Sequence, residues 1–366
     1  MSKACIVGIY QKKLEEMALR APDLALTVVV PPFWHGAEGK TVLEHSHTRG
    51  YRLEVQPVAF NGAFHTHFYP RLRETISKER PDLIHIDEEP YNFATYHANR
   101  LAHRYGARSL WFSWQNLHRG YPPPFSWMES YNLRHTDHGL VGSHTAAQVW
   151  RSKGYEGPLT VIPQFGVDPD SFHPPPIRET RSPVHVAYIG RLVPEKGVDL
   201  FLHALNQLEN PWQATILGSG PAEPALREQV AALGLVGRVT FTPWLPSAEM
   251  PAFYRKIDVL VLPSRSRPNW TEQFGRVLIE AMACGLAVVG AQSGEIPHVI
   301  GDAGLTFPED DVEALVQVLD KLIRAPELRH ILGERGRSRV LQQFTQTQVA
   351  DATLDVYRQV CDERAI

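Results

Sequence analysis

Short, continuous apolar runs alternate along the chain with longer segments in which apolar residues repeat at the period of a helix. Such runs are typical of strands that are covered on both faces, as in parallel α/β sheets. The runs that predict strands lie at residues 25–30, 82–86, 109–112, 139–141, 184–189, 213–217, 239–241, 259–262 and 287–289. In residues 311–323 the apolar positions recur at helical spacing, and the preceding pair Asp310-Asp311 favours a helix start there.

The N-terminal segment contains a further short apolar run, Cys5-Ile6-Val7, which is followed by polar residues at 11–13. This run is too short to be the apolar region of a signal peptide. We therefore predict that the chain begins with a buried strand.

Proline interrupts the strand and helix pattern at residues 168–176, where Pro174, Pro175 and Pro176 are consecutive. Consecutive prolines cannot continue a helix or a central strand, so this segment is a predicted linker. A chain of 366 residues is also too long for one ordinary hydrophobic core. The pattern therefore predicts an α/β protein of two domains, with ligands at the carboxyl ends of their strands.

Composition narrows the class of protein. Apolar residues make up 43% of the chain and charged residues 21%, and the net charge is −3, which disfavours a nucleic-acid-binding protein. No apolar run approaches the roughly 20 residues that cross a bilayer. The chain has 3 cysteines, far apart in the sequence, so we expect a reduced, cytoplasmic location and no zinc site.

The most informative segment, residues 263–285, follows one predicted strand and begins a helix that we expect to end near Gly285. Phe274 and Gly275 then lie at the helix N-terminus, where free amides bind anions and glycine lets a phosphate approach closely. Glu280 lies about one turn into this helix and can reach a ribose. Glu272 precedes the helix and can reach a sugar hydroxyl.

A second turn, residues 190–197, follows the strand at 184–189 and carries Arg191 and Lys196. Two cations in one turn can converge on a diphosphate, where negative charge grows as a glycosidic bond breaks. Positive charge placed in advance at such a point is commonly the largest contribution to catalysis.

Two glycine turns complete the set, each after a strand. Gly218 and Gly220 do not form a dinucleotide fingerprint, because Glu223 occupies the third glycine position, and a nicotinamide enzyme is therefore disfavoured. The other turn contains Gly294 and Glu295. Each of the four elements alone is weak evidence, but their occurrence together, each after a strand, favours a shared site.

These elements resemble the family 4 retaining glycosyltransferases, which have the GT-B fold of two Rossmann-like domains facing across a cleft. The resemblance is strong over about residues 138–345. It implies that the Gly190 turn binds the donor diphosphate through Arg191 and Lys196. It also implies that Glu272 contacts the donor sugar and Glu280 the ribose.

The same resemblance implies roles for the remaining elements. The Phe274 and Gly275 amides would lie near the donor, Gly218 and Gly220 would shape the nucleotide loop, and Trp244 would lie near the base. The fold further implies that a last helix, about 347–366, crosses back to the first domain. Residues 1–178 with 347–366 would then form the acceptor-binding domain, and residues 179–346 the donor-binding domain.

The first domain departs from the family pattern after its fourth strand. Many members have a histidine there, near the reacting sugar, whereas Gln115 takes that position in this chain and His118 follows three positions later. Gln115 can hydrogen-bond a sugar hydroxyl but cannot act as an acid or base. His118 is either its functional substitute or an ordinary loop histidine, and the sequence leaves both readings open.

Metal binding is not expected. Asp168-Pro169-Asp170 has the spacing of a manganese motif, but it lies in the proline-rich linker and not after a strand. The pairs His45 with His47 and His65 with His67 have no identifiable third ligand.

The sequence thus predicts a retaining, metal-independent hexosyltransferase without a cofactor, acting on a nucleotide-diphosphate sugar and a glycan, glycolipid or small-molecule acceptor. Two alternatives remain: a nucleotide-sugar epimerase of the same fold, which converts donor alone, and a catalytically silent nucleotide-sugar-binding partner. We expect no binding to nucleic acid, and we expect that the protein can contact the inner face of the membrane peripherally. The donor base, the sugar, the acceptor and the oligomeric state stay open.

Overall fold

The computed structural model describes residues 1–36, 39–177 and 181–362. The chain divides into two compact units, one of Met1–Gly166 with Gln346–Ile366 and one of Val167–Thr345. The boundary that the sequence placed between 178 and 179 lies outside the described residues, and the chain enters the second unit earlier, at Val167. The reason is packing: Phe172, in the proline-rich segment, is buried edge-on against Tyr254 at 5.9 Å between ring centroids.

The first unit contains two parallel sheets and a hairpin. β1 pairs with β4, β2 pairs with β3 in antiparallel fashion, and the third sheet has the order β5-β6-β7-β8. The strands are β1 (Thr27–Val30), β2 (Phe33–Gly36), β3 (Gly39–Val42), β4 (Arg52–Val55), β5 (Leu83–Ile86), β6 (Arg108–Ser113), β7 (His138–Val141) and β8 (Leu159–Val161).

Helices connect these strands: α1 (Lys12–Arg20), α2 (Leu72–Glu79), α3 (Phe93–Tyr105), α4 (Phe125–His135) and α5 (His144–Ser152). The core is built on β6, where Trp111 is fully buried and packs on Trp150 of α5 at 5.2 Å. The side chain of Ser143 caps α5 by accepting from the amide of Ala146 at 3.1 Å. This cap fixes the helix start directly after β7.

The predicted N-terminal strand is wrong. Residues Ala4–Ile6 and Gly8–Gln11 form short 3-10 turns that lead into α1. Cys5 and Ile6 are buried, as an apolar run requires, but the buried side chain of Gln11 donates to the carbonyl oxygen of Cys5 at 2.9 Å and holds the backbone in a turn. A run of three residues did not distinguish a strand from a buried turn.

The second unit is a single parallel sheet with the order β11-β10-β9-β12-β13-β14. Its strands are β9 (Val184–Ile189), β10 (Trp212–Leu217), β11 (Val239–Thr242), β12 (Val259–Leu262), β13 (Ala287–Ala291) and β14 (Leu305–Phe307). β12 and β13 are buried along their whole length, which explains their continuous apolar sequences. This strand order is that of a doubly wound nucleotide-binding sheet.

Seven helices of the second unit fall within the described ranges: α6 (Val198–Asn206), α7 (Glu223–Ala232), α8 (Met250–Tyr254), α9 (Arg276–Ala283), α10 (Ile296–Ile300), α11 (Val312–Arg324) and α12 (Pro326–Gln343). α11 confirms the predicted amphipathic helix, and Asp311 caps it by accepting from the amide of Ala314 at 2.8 Å. The last helix, α13 (Gln346–Asp362), belongs to the first unit, and the predicted extension to 363–366 lies outside the described residues.

Of the ten strands predicted from apolar runs, the nine that follow the N-terminal segment are present, with ends that differ by at most a few residues. The strands that the sequence pattern missed are short, polar or exposed: β2, β3, β4, β8 and β14. The α/β class predicted from the sequence is confirmed.

Candidate functional site

The strand order of the second unit reverses direction between β9 and β12. β9 and β12 pair at Val186 with Val259 and at Ala187 with Leu260. The carboxyl ends of both strands therefore extend beyond their paired residues. Parallel sheets bind ligands at such a switch point, because the two following loops diverge and leave a crevice. The loops that follow β9 and β12 carry Lys196 and Glu272.

A close backbone approach joins these two loops. Gly197 has φ +67°, and a Cβ atom there would lie 2.0 Å from the carbonyl oxygen of Pro263. Only glycine fits this contact, since the neighbour is backbone and cannot move aside. The turn that bears Lys196 therefore lies against the start of the loop that bears Glu272.

Lys196 and Glu272 form an ion pair at this contact. The distance from Lys196 Nζ to Glu272 Oε2 is 2.6 Å, and Ser264 Oγ donates to the same oxygen at 2.9 Å. The Lys196 ammonium also lies over the ring of Trp270, 4.9 Å from its centroid. Both members of the pair are largely shielded from solvent, so their attraction is screened less than at a surface.

The Gly294 turn packs against the backbone of Glu272. The amide of Glu295 donates to the Glu272 carbonyl oxygen at 3.1 Å, and a Cβ on Gly294 would lie 2.1 Å from that oxygen. Glu295 is itself buried, with His298 Nδ1 3.7 Å from its carboxylate. The structure thus brings together Lys196, Glu272, Gly294 and Glu295, as the sequence predicted.

Gly275 is the N-cap residue of α9, in the left-handed conformation at φ +80°. Phe274 precedes it and is buried edge-on against Phe344, with 5.8 Å between ring centroids. The predicted helix start at Phe274-Gly275 is therefore present, and the first amides of α9 follow directly on the Glu272 loop.

Glu280 lies in α9, and each of its carboxylate oxygens has a donor. Tyr254 donates its hydroxyl to Oε2 at 2.8 Å, and Arg276 Nε donates to Oε1 at 2.8 Å. Burial, and then the negative charge of Glu280, raise the pKa of Tyr254 well above its ordinary value, so this hydroxyl stays protonated and acts as a donor. The arrangement fixes the carboxylate while leaving lone pairs for a further hydroxyl.

The glycines after β9 and β10 allow their loops to touch. A Cβ on Gly218 would lie 1.9 Å from the carbonyl oxygen of Gly190, and one on Gly220 would lie 2.4 Å from that of Leu192. Arg191 is exposed in the loop after β9, and its carbonyl oxygen accepts from the hydroxyl of the buried Tyr188 at 2.7 Å. These contacts place both turns beside the switch point.

Trp244 lies apart from this group within the second unit. It follows β11, which β10 separates from β9, and its side chain is 56% exposed. The structure does not bring Trp244 together with the Lys196 and Glu272 pair.

The two first-unit candidates lie after β6 in different environments. Gln115 is 6% exposed and donates from Nε2 to the carbonyl oxygen of Leu117 at 3.0 Å, while its Oε1 has no hydrogen-bond partner in the described part of the chain. His118 is exposed, and its Nδ1 lies 3.0 Å from Ser152 Oγ. Of the two candidates, only Gln115 is therefore a buried polar side chain near the end of the strand.

Sequence reasoning missed a polar group after β5. Glu88 is buried between Lys3 and His67, with its Oε1 3.3 Å from His67 Nε2, and Lys3 pairs with its Oε2. Burial alone would raise the pKa of Glu88, but the charges of Lys3 and His67 lower it to about 2. The acidic triplet at 87–89, directly after a predicted strand, was the available signal.

Two of the residues considered as metal ligands, Asp168 and His47, have protein partners. Asp168 accepts at its two carboxylate oxygens from the amide of Asp170 at 3.1 Å and from Ser171 Oγ at 2.8 Å. His47 Nδ1 lies 3.2 Å from Glu15 Oε2. Asp168 thus shapes the turn that follows it.

Two family profiles match the chain and together cover most of it. The profile described as Glycosyltransferase Family 4 matches residues 17–171, and the profile described as Glycosyl transferases group 1 matches residues 173–339. The chain belongs to the family 4 glycosyltransferases. The division between the two matches falls at residue 172, close to the structural boundary at Val167.

Individual relatives in the family are similar over about half of the chain. A GDP-mannose-dependent alpha-(1-6)-phosphatidylinositol monomannoside mannosyltransferase of Mycolicibacterium smegmatis is 32% identical over 214 residues, which is 54% of this chain and 56% of the relative. A lipopolysaccharide core biosynthesis mannosyltransferase of Rhizobium leguminosarum is 34% identical over 219 residues, or 55% and 60%. The chain spans about half the length of the curated relatives it matches.

Solved structures confirm the GT-B fold over almost the whole chain. A glycosyltransferase from Rickettsia africae matches with a TM-score of 0.74 at 18% identity, covering 96% of this chain and 95% of that one. Sucrose-phosphate synthase from Thermosynechococcus elongatus matches with a TM-score of 0.70 at 22% identity, covering 95% and 92%. At these identities the likeness concerns the fold.

None of the described helices combines the length and the apolar character that a membrane-spanning helix needs.

Proposed function

We propose that this protein is a retaining hexosyltransferase that takes a sugar from a nucleotide-diphosphate donor and transfers it to a glycan, glycolipid or small-molecule acceptor. The observation that carries the proposal is the Lys196–Glu272 pair at the switch point of a doubly wound sheet. A cation for the phosphates and a carboxylate for sugar hydroxyls are the two groups that such a donor requires, and here they are in contact.

In this proposal Arg191 and Lys196 bind the donor diphosphate. In the structure, Glu272 neutralises the Lys196 ammonium at 2.6 Å. A diphosphate carries more negative charge than a carboxylate, so it attracts Lys196 strongly and releases Glu272 toward the sugar. The amides that begin α9, after Gly275, add positive potential on the same side of the loop.

The sugar and the ribose are held by carboxylates. Glu272 and the Gly294-Glu295 turn orient the hexose, and Glu280, fixed by Tyr254 and Arg276, accepts the ribose hydroxyls. In the first unit, Gln115 offers its buried amide oxygen to a sugar hydroxyl. The Gly218 and Gly220 loop lies beside the nucleotide.

The transfer step needs no protein nucleophile. The bond from the anomeric carbon to the phosphate oxygen breaks, the acceptor oxygen bonds to the same face of that carbon, and the acceptor proton moves to the departing phosphate. The anomeric configuration is retained because entry and departure share a face. Arg191 and Lys196 supply the charge that stabilises the leaving diphosphate, so we propose that the reaction requires no metal ion.

The names of the relatives suggest which donors to try first. One relative is named for its dependence on GDP-mannose, and a solved Anabaena protein of similar fold holds UDP-glucose. Both donors fit the proposed diphosphate and ribose contacts, which are common to all nucleotide sugars. The relatives named for phosphatidylinositol mannoside and lipopolysaccharide core synthesis favour a glycolipid or glycan acceptor.

The test is calorimetric titration with UDP, GDP, ADP and TDP and their common sugar derivatives, with a chelator present. We expect one nucleotide to bind clearly more tightly than the others, and the matching sugar donor to be consumed when acceptor glycolipids are added. The configuration of the product, read by NMR, should be that of the donor.

Other outcomes distinguish the alternatives. Conversion of the donor without any acceptor would indicate an epimerase. Binding without any reaction would indicate a silent partner, and the absence of binding to every nucleotide would contradict the diphosphate site. Activity that disappears with chelator and returns with a divalent cation would contradict the metal-independent step.

A further inference from the structure

Glu89, at the end of the acidic triplet after β5, holds the turn that carries Gln115. Its Oε2 accepts from Ser113 Oγ at 2.5 Å, and its Oε1 accepts from the amide of Trp114 at 2.8 Å. Glu89 thus binds the last residue of β6 and the first residue of the following turn.

Ser113 passes this constraint to Gln115. Its hydroxyl oxygen accepts from the amide of Gln115 at 3.0 Å and from Trp150 Nε1 at 2.9 Å, while its proton goes to Glu89. The hydroxyl therefore uses its one donor and both acceptor sites. Its orientation is fixed by Glu89 on one side and by the buried indole of Trp150 on the other.

The side chain of Gln115 is buried, and its amide oxygen is left without a hydrogen bond in the described residues. Gln115 donates from Nε2 to Leu117, and its Oε1 is buried without a hydrogen-bond partner in the described residues. An unpaired buried acceptor costs about 1–3 kcal/mol, so a fold retains it where a ligand supplies the donor. A sugar hydroxyl is such a donor.

We propose that Glu89 is a positioning residue for Gln115: it clamps Ser113 and the Trp114 amide so that the Gln115 amide oxygen is presented to a hydroxyl of the sugar substrate. The assignment rests on the proposed function. Glu89 acts through the turn and does not itself touch substrate.

The charge state of Glu89 gives the clamp a pH dependence. Burial raises the pKa of Glu89 to about 7, against the hydrogen bonds from Ser113 and Trp114. The titratable groups that face it are Lys3, which lowers this pKa, Glu88, which raises it, and the hydroxyls of Tyr91 and Tyr121. Only the ionised carboxylate can accept both hydrogen bonds, so the clamp weakens as the pH falls below about 7.

The contribution of Glu89 to the stability of the fold changes with pH in the opposite direction to the strength of the clamp. A carboxyl whose pKa is raised in the folded protein stabilises the fold below its unfolded pKa, and this contribution is lost as the pH rises through about 7. Replacing Glu89 with a neutral residue at pH 8 therefore removes a destabilising charge while it weakens the clamp. Activity and stability should separate, which a merely structural role would not produce.

The experiment compares Glu89→Gln with Glu54→Gln. Glu54 is the control, because it is another hydrogen-bonded carboxylate of the unit, in β4 of the other parallel sheet: its Oε1 accepts from the Thr75 hydroxyl and the Gln56 side-chain amide, and its Oε2 accepts from Arg52. At position 89 a glutamine oxygen can accept only one of the two bonds, because its NH2 group meets another donor.

We expect Glu89→Gln to lower kcat by about 10- to 100-fold, with unchanged donor affinity in calorimetry and an unchanged or higher Tm at pH 8. The wild-type kcat should fall below about pH 7 as a single group is protonated, and the variant should lack this titration. Glu54→Gln should keep the wild-type kcat, its pH profile and the donor affinity. Unchanged kcat in Glu89→Gln, or a Tm that falls together with kcat, would overturn the proposal.

Hydrogen exchange separates this proposal from the proposed function. The Glu89→Gln change should speed amide exchange in a peptide spanning residues 113–117, and Glu54→Gln should not. Unchanged exchange there overturns the clamp even in an active enzyme. Faster exchange in a protein that transfers no sugar supports the clamp and contradicts the transferase assignment instead.

Discussion

Lys196 and Glu272 are 76 positions apart in the sequence, yet the tertiary structure pairs their side chains at 2.6 Å. Removing either partner leaves the other charge in a shielded place without its counter-ion, which is a large perturbation. If Lys196 were lost, Ser264 would still donate to Glu272 Oε2. The Lys196–Glu272 pair therefore holds the loop after β12 against the loop after β9.

Replacing Lys196 with alanine tests this pair. Because a hydrogen bond to a charged group contributes about 1.5–3 kcal/mol, we expect nucleoside diphosphate affinity to fall by about 10- to 100-fold. Turnover should fall further, since charge on the phosphate grows in the transition state. Calorimetry and a transfer assay measure the two effects, with Lys321→Ala on the exposed face of α11 as control. Normal turnover in Lys196→Ala would remove the diphosphate contact from the mechanism.

At the scale of elements, α9 is held in place by α12. A Cβ on Gly333 of α12 would lie 2.2 Å from the carbonyl oxygen of Gly285, just after α9 ends. A Cβ on Gly336, one turn along, would meet the side chain of Met282 at 2.9 Å instead. Since α9 carries Glu280 and begins at Gly275, this close packing fixes the helix that lies beside the proposed donor site.

The two glycines of α12 form a matched pair of variants. Gly333→Ala should destabilise the protein by about 1–3 kcal/mol, because its obstacle is backbone that cannot rotate away. Gly336→Ala should be milder, since Met282 is flexible and alanine favours a helix by about 1 kcal/mol over glycine. Denaturant unfolding of both variants gives the comparison. Equal destabilisation would show that the helices adjust to either side chain.

At the scale of the whole molecule, the chain leaves the first unit at Gly166 and returns to it with α13. Leu354 and Val356 of α13 lie in the apolar clusters of the first unit, beside residues of α1 and of β6 and β7. The first unit is therefore completed by residues at the far end of the sequence, and its stability depends on α13.

Leu354 tests the contribution of α13. It is 3% exposed, and its replacement by alanine should lower the stability of the first unit by about 2–5 kcal/mol through lost burial and a cavity. Leu341 of α12, 40% exposed, is the control, and Leu341→Ala should change stability far less. Thermal unfolding of both variants is the measurement. A Leu354→Ala midpoint equal to that of the control would mean that α13 adds little to the core.

Much of this architecture followed from local pattern. Continuous apolar runs located β9 and β12 to the residue, because β12 is apolar and buried throughout and β9 is interrupted only by His185. The turn glycines and the loop charges of the second unit were found because they follow such strands. The N-terminal strand failed, since three apolar residues satisfy a buried turn equally well.

The sequence by itself determined the α/β class, the family, and the glycine and charge patterns on which the proposed phosphate site rests, because these are properties of neighbouring residues. Only the tertiary structure decided that the chain changes units at Gly166, that Lys196 is paired with Glu272, and that Glu89 fixes the turn of Gln115. These contacts join segments far apart in the chain, and their distances depend on strand order and packing. No local pattern of residues encodes them.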